Sequence, residues 1–163
     1  MIYLLDLGIN NVGSLMNSFG DLVATEVQVT SEPVTTGPKD LIVVPGTGSF
    51  AVGMARLRSR GLQSFVSHEA SVGRKILGIC LGMQLLGEAS EESPGIAGLS
   101  LISSASFRLN PGTANQMSVP HVGWSSVSRA EDSQFGDFDF ENGRDVFFSH
   151  SYAMSLSPNL NYE

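Results

Sequence analysis

The residue with the clearest chemical potential is Cys80, the only cysteine, which stands in Gly78-Ile79-Cys80-Leu81-Gly82 after the apolar run Lys75-Ile76-Leu77. A buried strand that stops at Gly-x-Cys-x-Gly and turns into a helix has the layout of a nucleophile elbow, where small flanking residues allow a tight turn that projects one reactive side chain. A helix N-terminus favours a thiolate through its unpaired amides and dipole, and the N–H of Leu81 is placed to donate to an oxyanion. Read alone, Cys80 is equally a small apolar residue at a strand end.

A second glycine turn, Pro45-Gly46-Thr47-Gly48, also follows an apolar run, Leu41-Ile42-Val43-Val44. In a parallel sheet it would share the carboxyl edge with the elbow, where α/β proteins bind ligands. Gly48, or the peptide joining it to Thr47, can approach a substrate closely because no side chain obstructs it. By itself this is also an ordinary tight turn. Gln84, one helical turn beyond Cys80, is placed to offer its amide to a substrate near the thiol, although most such residues are simply polar helix positions.

The remaining titratable groups are less pointed. His150 and His121 are better read as histidines with structural partners than as bases, and His68 as helix surface. Glu88, Glu91, Glu92, Asp137, Asp139 and Glu141 have no spacing that singles out a catalytic pair. Met83, Leu85 and Leu86 read as core.

The elements that must position these groups alternate. Ile2 to Leu7 reads as a strand, Val12 to Leu22 as a helix capped by Asn10 or Asn11, and Val27 to Val29 as a short strand before the loop Pro33 to Lys39. Met54 to Val66 suits one helix or two broken near Gly61, and Leu81 to about Ala89 another. Leu99 to Leu109, Val119 to Ser128 and Val146 to Met154 read as strands. Glu131 to Gly143 reads as an acidic surface loop. The expected fold class is α/β, a mostly parallel central sheet flanked by helices with an antiparallel strand-rich second half.

Composition narrows the function. The 163 residues suit one compact domain, and a net charge of -7 gives no excess of cations to displace counterions from nucleic acid or anionic lipid. One cysteine excludes an internal disulfide, and three scattered histidines match no zinc spacing, so neither metal nor other cofactor is expected. With no long apolar run and no basic leader, a cytoplasmic protein is the expectation.

Taken in order, Asn11, the Pro45 to Phe50 loop, Gly78 to Leu86, Ser90-Glu91-Glu92, Pro120-His121-Val122-Gly123-Trp124 and His150-Ser151-Tyr152 resemble the class I glutamine amidotransferases, nearest to the glutaminase subunits of imidazole glycerol phosphate synthase in histidine biosynthesis. The resemblance implies that Cys80 attacks the glutamine side-chain amide, that Thr47, Gly48 and Leu81 form the oxyanion hole, and that Gly48, Gln84, Ser151 and Tyr152 hold glutamine. It implies ammonia transfer to a (β/α)8-barrel synthase subunit in a heterodimer, with Asn11 and Trp124 near that partner. Alternatives are a paralogue that aminates a surface-polysaccharide sugar, a non-catalytic binding subunit, and an unrelated cysteine-elbow hydrolase or thiol-stress protein.

The family completes its triad from a His-Pro-Glu segment that does not occur in these 163 residues, so the expectation is a domain spanning 1–163 and truncated before that segment. Without the base, proton delivery to departing ammonia lacks its source. The 163-residue polypeptide is therefore expected to show little or no glutamine turnover in an ammonia-release assay; robust turnover abolished by Cys80→Ser would overturn that expectation.

Overall fold

The computed structural model describes residues 1–9, 11–22, 26–110, 118–127 and 144–154. The chain forms two compact units, Met1–Ser106 and Phe107–Glu163. The expected acidic loop at 131–143 lies outside the described residues, as do Asn10 and Ser128.

The first unit is a parallel sheet between helices. Strands β1 (Ile2–Leu5), β2 (Val27–Thr30), β3 (Leu41–Gly46) and β4 (Lys75–Cys80) lie in the order β2-β1-β3-β4 and all pair in parallel. Because side chains alternate across a strand, β3 feeds both faces. Ile42 and Val44 join Phe50, Met54, Leu57, Leu62, Phe65 and Val66 in the larger core, which also takes in Leu81, Leu85 and Leu86. Val43, with Ile2 and Leu4, packs instead against Val12, Leu15 and Phe19 of helix α1 (Val12–Leu22). A strand buried on both faces must be apolar throughout, which is why Leu41-Ile42-Val43-Val44 shows no alternation.

The region after β3 forms two helices, α2 (Phe50–Ser59) and α3 (Leu62–Ser71), broken at Gly61, whose φ of 68° suits a residue without a Cβ. Asn11 caps α1: its Oδ1 accepts the Ser14 N–H at 3.2 Å.

Two expectations are corrected. Helix α4 is only Leu81–Leu86, stopping at Gly87 rather than near Ala89. Most of the strand expected over 99–109 is a loop, and only β5 (Ser106–Arg108) is strand. The two errors share one cause. The N–H groups of Leu99, Ser100, Leu101 and Ile102 donate to the carbonyls of Leu85, Gly87, Leu86 and Leu86, so the segment satisfies the helix end instead of a ladder.

In the second unit, β6 (His121–Val127) and β7 (Arg144–His150) pair antiparallel, and β8 (Tyr152–Met154) pairs with β5. The expected strand over 146–154 is thus two strands separated by a bend at Ser151.

Glycine positions give a direct check. A Cβ added at Gly82 would sit 1.6 Å from the Val44 carbonyl oxygen, whereas at Gly20, exposed in α1, it would meet nothing within 4 Å. Urea denaturation should show Gly82→Ala losing more than about 3 kcal/mol, and Gly20→Ala gaining about 0.5–1 kcal/mol from helix propensity.

Candidate functional site

The site is built where β3 and β4 end side by side. Their register pairs Gly46 with Cys80, so the loop at Thr47-Gly48 and the elbow at Cys80-Leu81 leave neighbouring strand ends at one sheet edge, as the two glycine turns predict. Cys80 is exposed and has φ 55° and ψ -118°. Only Cys80 and Ser100 among the described non-glycine residues have positive φ. A side-chain-bearing residue in this region is strained, and an exposed thiol held there is not the small buried apolar residue of the alternative reading.

The flanking glycines explain how the strain is held. A Cβ at Gly78 would lie 2.5 Å from Met83 Cα, and one at Gly82 would collide with the β3 backbone at Val44. The chain therefore reverses in a space that admits hydrogen atoms only. Leu81 is 2% exposed and its side chain locks the turn into the core beside Gly46, where an added Cβ would meet it at 3.1 Å.

The neighbouring loop is fixed by polar contacts. The Thr47 hydroxyl donates to the Ile9 carbonyl, tying the loop to the segment after β1. Gly48 has φ 92°, which glycine alone adopts without strain, and a Cβ there would face open space. Ser49 caps α2 by accepting the Val52 N–H, and the Glu92 carboxylate accepts the Phe50 N–H at 2.7 Å. Glu92 is thus a clamp on the glycine loop from 42 residues away, not part of a solvated face. Charge count and spacing gave no signal for it; its place in Ser90-Glu91-Glu92 was the available clue.

Gln84 is half-buried, and its Oε1 is buried without a hydrogen-bond partner. That oxygen is closed to solvent as well as unpaired, so a donor from outside reaches it only if the side chain turns. Met83, expected in the core, is 36% exposed, because it follows the elbow on the outer side of α4 while Leu85 and Leu86 face inward.

Ser151, Tyr152 and Trp124 lie in the second unit, apart in sequence from the elbow. Trp124 is 71% exposed and meets the Phe147 ring edge-on at 5.6 Å. His150 and His121 have partners: His121 Nδ1 and His150 Nε2 are 3.1 Å apart. His68 is exposed on α3, as expected. Among the described residues no group of three or more His, Cys, Asp or Glu is placed to hold a metal ion, and no helix is long and apolar enough to cross a membrane.

A parallel sheet edge with a strained, exposed cysteine beside a glycine loop defines an α/β fold with a candidate site at that edge, and comparison with known proteins narrows it. The class-I glutamine amidotransferase family pattern matches residues 3–161, and the chain belongs to that family. It is 39% identical over 162 residues to the imidazole glycerol phosphate synthase subunit HisH of Methanothermobacter thermautotrophicus, covering 98% of this chain and 76% of the relative. It is 37% identical over 155 residues to the subunit of the same name in Oceanobacillus iheyensis, covering 95% and 74%. Its fold is similar to a crystal structure of a glutamine amidotransferase with a TM-score of 0.64 at 13% identity, covering 93% of this chain and 71% of the other.

The Glu92 clamp can be measured on its own. Glu92→Ala should lower stability by about 1–2 kcal/mol in chemical denaturation, as loss of a charge-assisted helix cap does, and Glu92→Gln, which keeps an acceptor, by less.

Proposed function

We propose that this chain is the glutaminase subunit of an imidazole glycerol phosphate synthase. Its reaction is the hydrolysis of glutamine to glutamate and ammonia, which needs a general base besides Cys80, and the ammonia passes to a separate (β/α)8-barrel subunit in a heterodimer. The observation that carries the reading is the Cys80 elbow, exposed and strained beside the Gly48 loop, in a chain whose relatives are subunits of that synthase.

In this reading the Cys80 thiolate attacks the side-chain carbonyl carbon of glutamine. The carbonyl oxygen becomes an oxyanion that accepts from the Leu81 N–H and from the backbone amide at Gly48 or the Thr47–Gly48 peptide. Collapse of the tetrahedral species breaks the carbon–nitrogen bond, and the nitrogen takes up the proton that the Cys80 thiol lost on ionising and leaves as ammonia. Water then attacks the glutamyl thioester, releasing glutamate and restoring the thiol. Gln84, one helical turn beyond the thiol on the same helix, is the side chain of the first unit that contacts the substrate. The exposed apolar face of Val122, Trp124 and Phe147 in the second unit is the surface offered to the synthase partner.

A purely binding subunit has no need of a strained nucleophile, since backbone strain persists only where the surrounding structure enforces it. The strain therefore favours chemistry over docking alone.

The test reads covalent capture rather than turnover, so it holds whatever supplies the general base. The chloroketone analogue of glutamine should label Cys80 with saturable kinetics, glutamine should protect against it, and Cys80→Ser should abolish labelling. Labelling at Cys80 that ignores glutamine would sink the proposal.

A further inference from the structure

We propose that Thr47 is a positioning residue whose hydroxyl, bonded to the Ile9 carbonyl, holds the Thr47–Gly48 peptide in one orientation beside the Cys80 turn; this rests on the reading in which that peptide supplies an oxyanion donor.

Residues 47 and 48 bridge two fixed points. On one side Gly46 ends β3 paired with Cys80, and Leu81 packs so closely that a Cβ at Gly46 would meet its side chain at 3.1 Å. On the other side Ser49 accepts the Val52 N–H as the cap of α2, and the Phe50 N–H donates to Glu92 at 2.7 Å. A planar peptide between fixed ends can still turn over, through opposite changes in the ψ before it and the φ after it, and leave both ends in place. Gly48 offers little resistance to such a turn. Its φ is 92°, glycine takes either sign of φ, and a Cβ there would meet nothing within 4 Å. The restraint has to come from Thr47.

Threonine supplies it through its side chain. Branching at Cβ couples χ1 to the backbone, and the bond from the hydroxyl to the Ile9 carbonyl fixes χ1, so the backbone of Thr47 is held with it. The acceptor is firm. The Asp6 carboxylate accepts the Gly8 N–H at 2.7 Å, the Arg60 guanidinium donates to the Asp6 carbonyl, and the Ile9 side chain packs against the larger core. Thr47 itself is exposed, so burial does not hold its side chain and the hydrogen bond carries the restraint. Valine keeps the shape and loses the donor, whereas serine keeps the donor.

The test compares a tetrahedral adduct with the ground state. When the aldehyde analogue of glutamine adds to the Cys80 thiolate, a sulfur–carbon bond forms, the carbonyl π bond breaks, and its electron pair becomes an alkoxide in the place of the oxyanion. This addition has no leaving group to protonate. Aldehyde and glutamine affinities are both read as protection of Cys80 from iodoacetamide, whose own reaction forms no oxyanion and reports thiol reactivity. Thr47→Val should weaken aldehyde protection about tenfold, as the loss of a hydrogen bond that positions an oxyanion donor does. Glutamine protection and the iodoacetamide rate without ligand should stay within about twofold, and Thr47→Ser should keep the wild-type aldehyde affinity within the same margin.

If glutamine fails to protect wild-type Cys80, the glutamine reading falls and this role with it. If glutamine protects but Thr47→Val keeps the wild-type aldehyde affinity, or Thr47→Ser loses it as Val does, the positioning role alone is overturned. Equal losses for aldehyde and glutamine, or an altered iodoacetamide rate, overturn it as well, since they mark damage to the pocket or the thiol. Position 47 is exposed, so neither variant removes a core contact.

Discussion

The close approach of Gly82 to the Val44 carbonyl is the constraint on which the rest of this sheet edge depends. It lets α4 start directly against β3, and that start forces Cys80 into a positive φ with its thiol exposed. A methyl group at position 82 would push the helix away, relax the turn and carry the thiol elsewhere. Core packing then secures what the glycine permits, through Leu81, Leu85 and Leu86 among the residues of the larger cluster. Hydrophobic burial here does more than stabilise: it maintains a backbone conformation that is unfavourable by itself.

The neighbouring loop is governed by polar contacts instead. Thr47, Ser49 and Glu92 hold Gly48 between a helix N-terminus and the segment after β1 without filling the space above it. Apolar packing sets the Cys80 turn and hydrogen bonds set the neighbouring loop. The division suits the proposed chemistry, in which the thiol is aimed and the loop leaves room for a substrate.

The parts legible in the sequence were those with a local physical signature. Apolar runs gave β1, β3 and β4, the helical spacing of Val12, Leu15 and Phe19 gave α1, and paired glycines gave the elbow. Register could be anticipated only as a shared edge, because the pairing of Gly46 with Cys80 is a relation between distant segments. Glu92 and the His121–His150 pair were opaque for the same reason: a hydrogen bond across 42 or 29 residues leaves no periodicity. The length of α4 was misread because amphipathic spacing does not report where the terminal carbonyls find donors. Leu99 to Ile102 look like a strand by composition, yet their N–H groups are committed to a helix end.

That commitment has a consequence for motion. A six-residue helix lies well below the length at which a helix holds itself together in water, so α4 depends on its core packing and on the docking of residues 99–102 on its last turn. The two segments therefore form one opening unit, and Ser100, itself at φ 53°, lies within it. A transient release of this loop would loosen the helix, and with it the strained turn at Cys80. The geometry of the Cys80 turn thus depends in part on a stretch of chain that lies well beyond it in sequence.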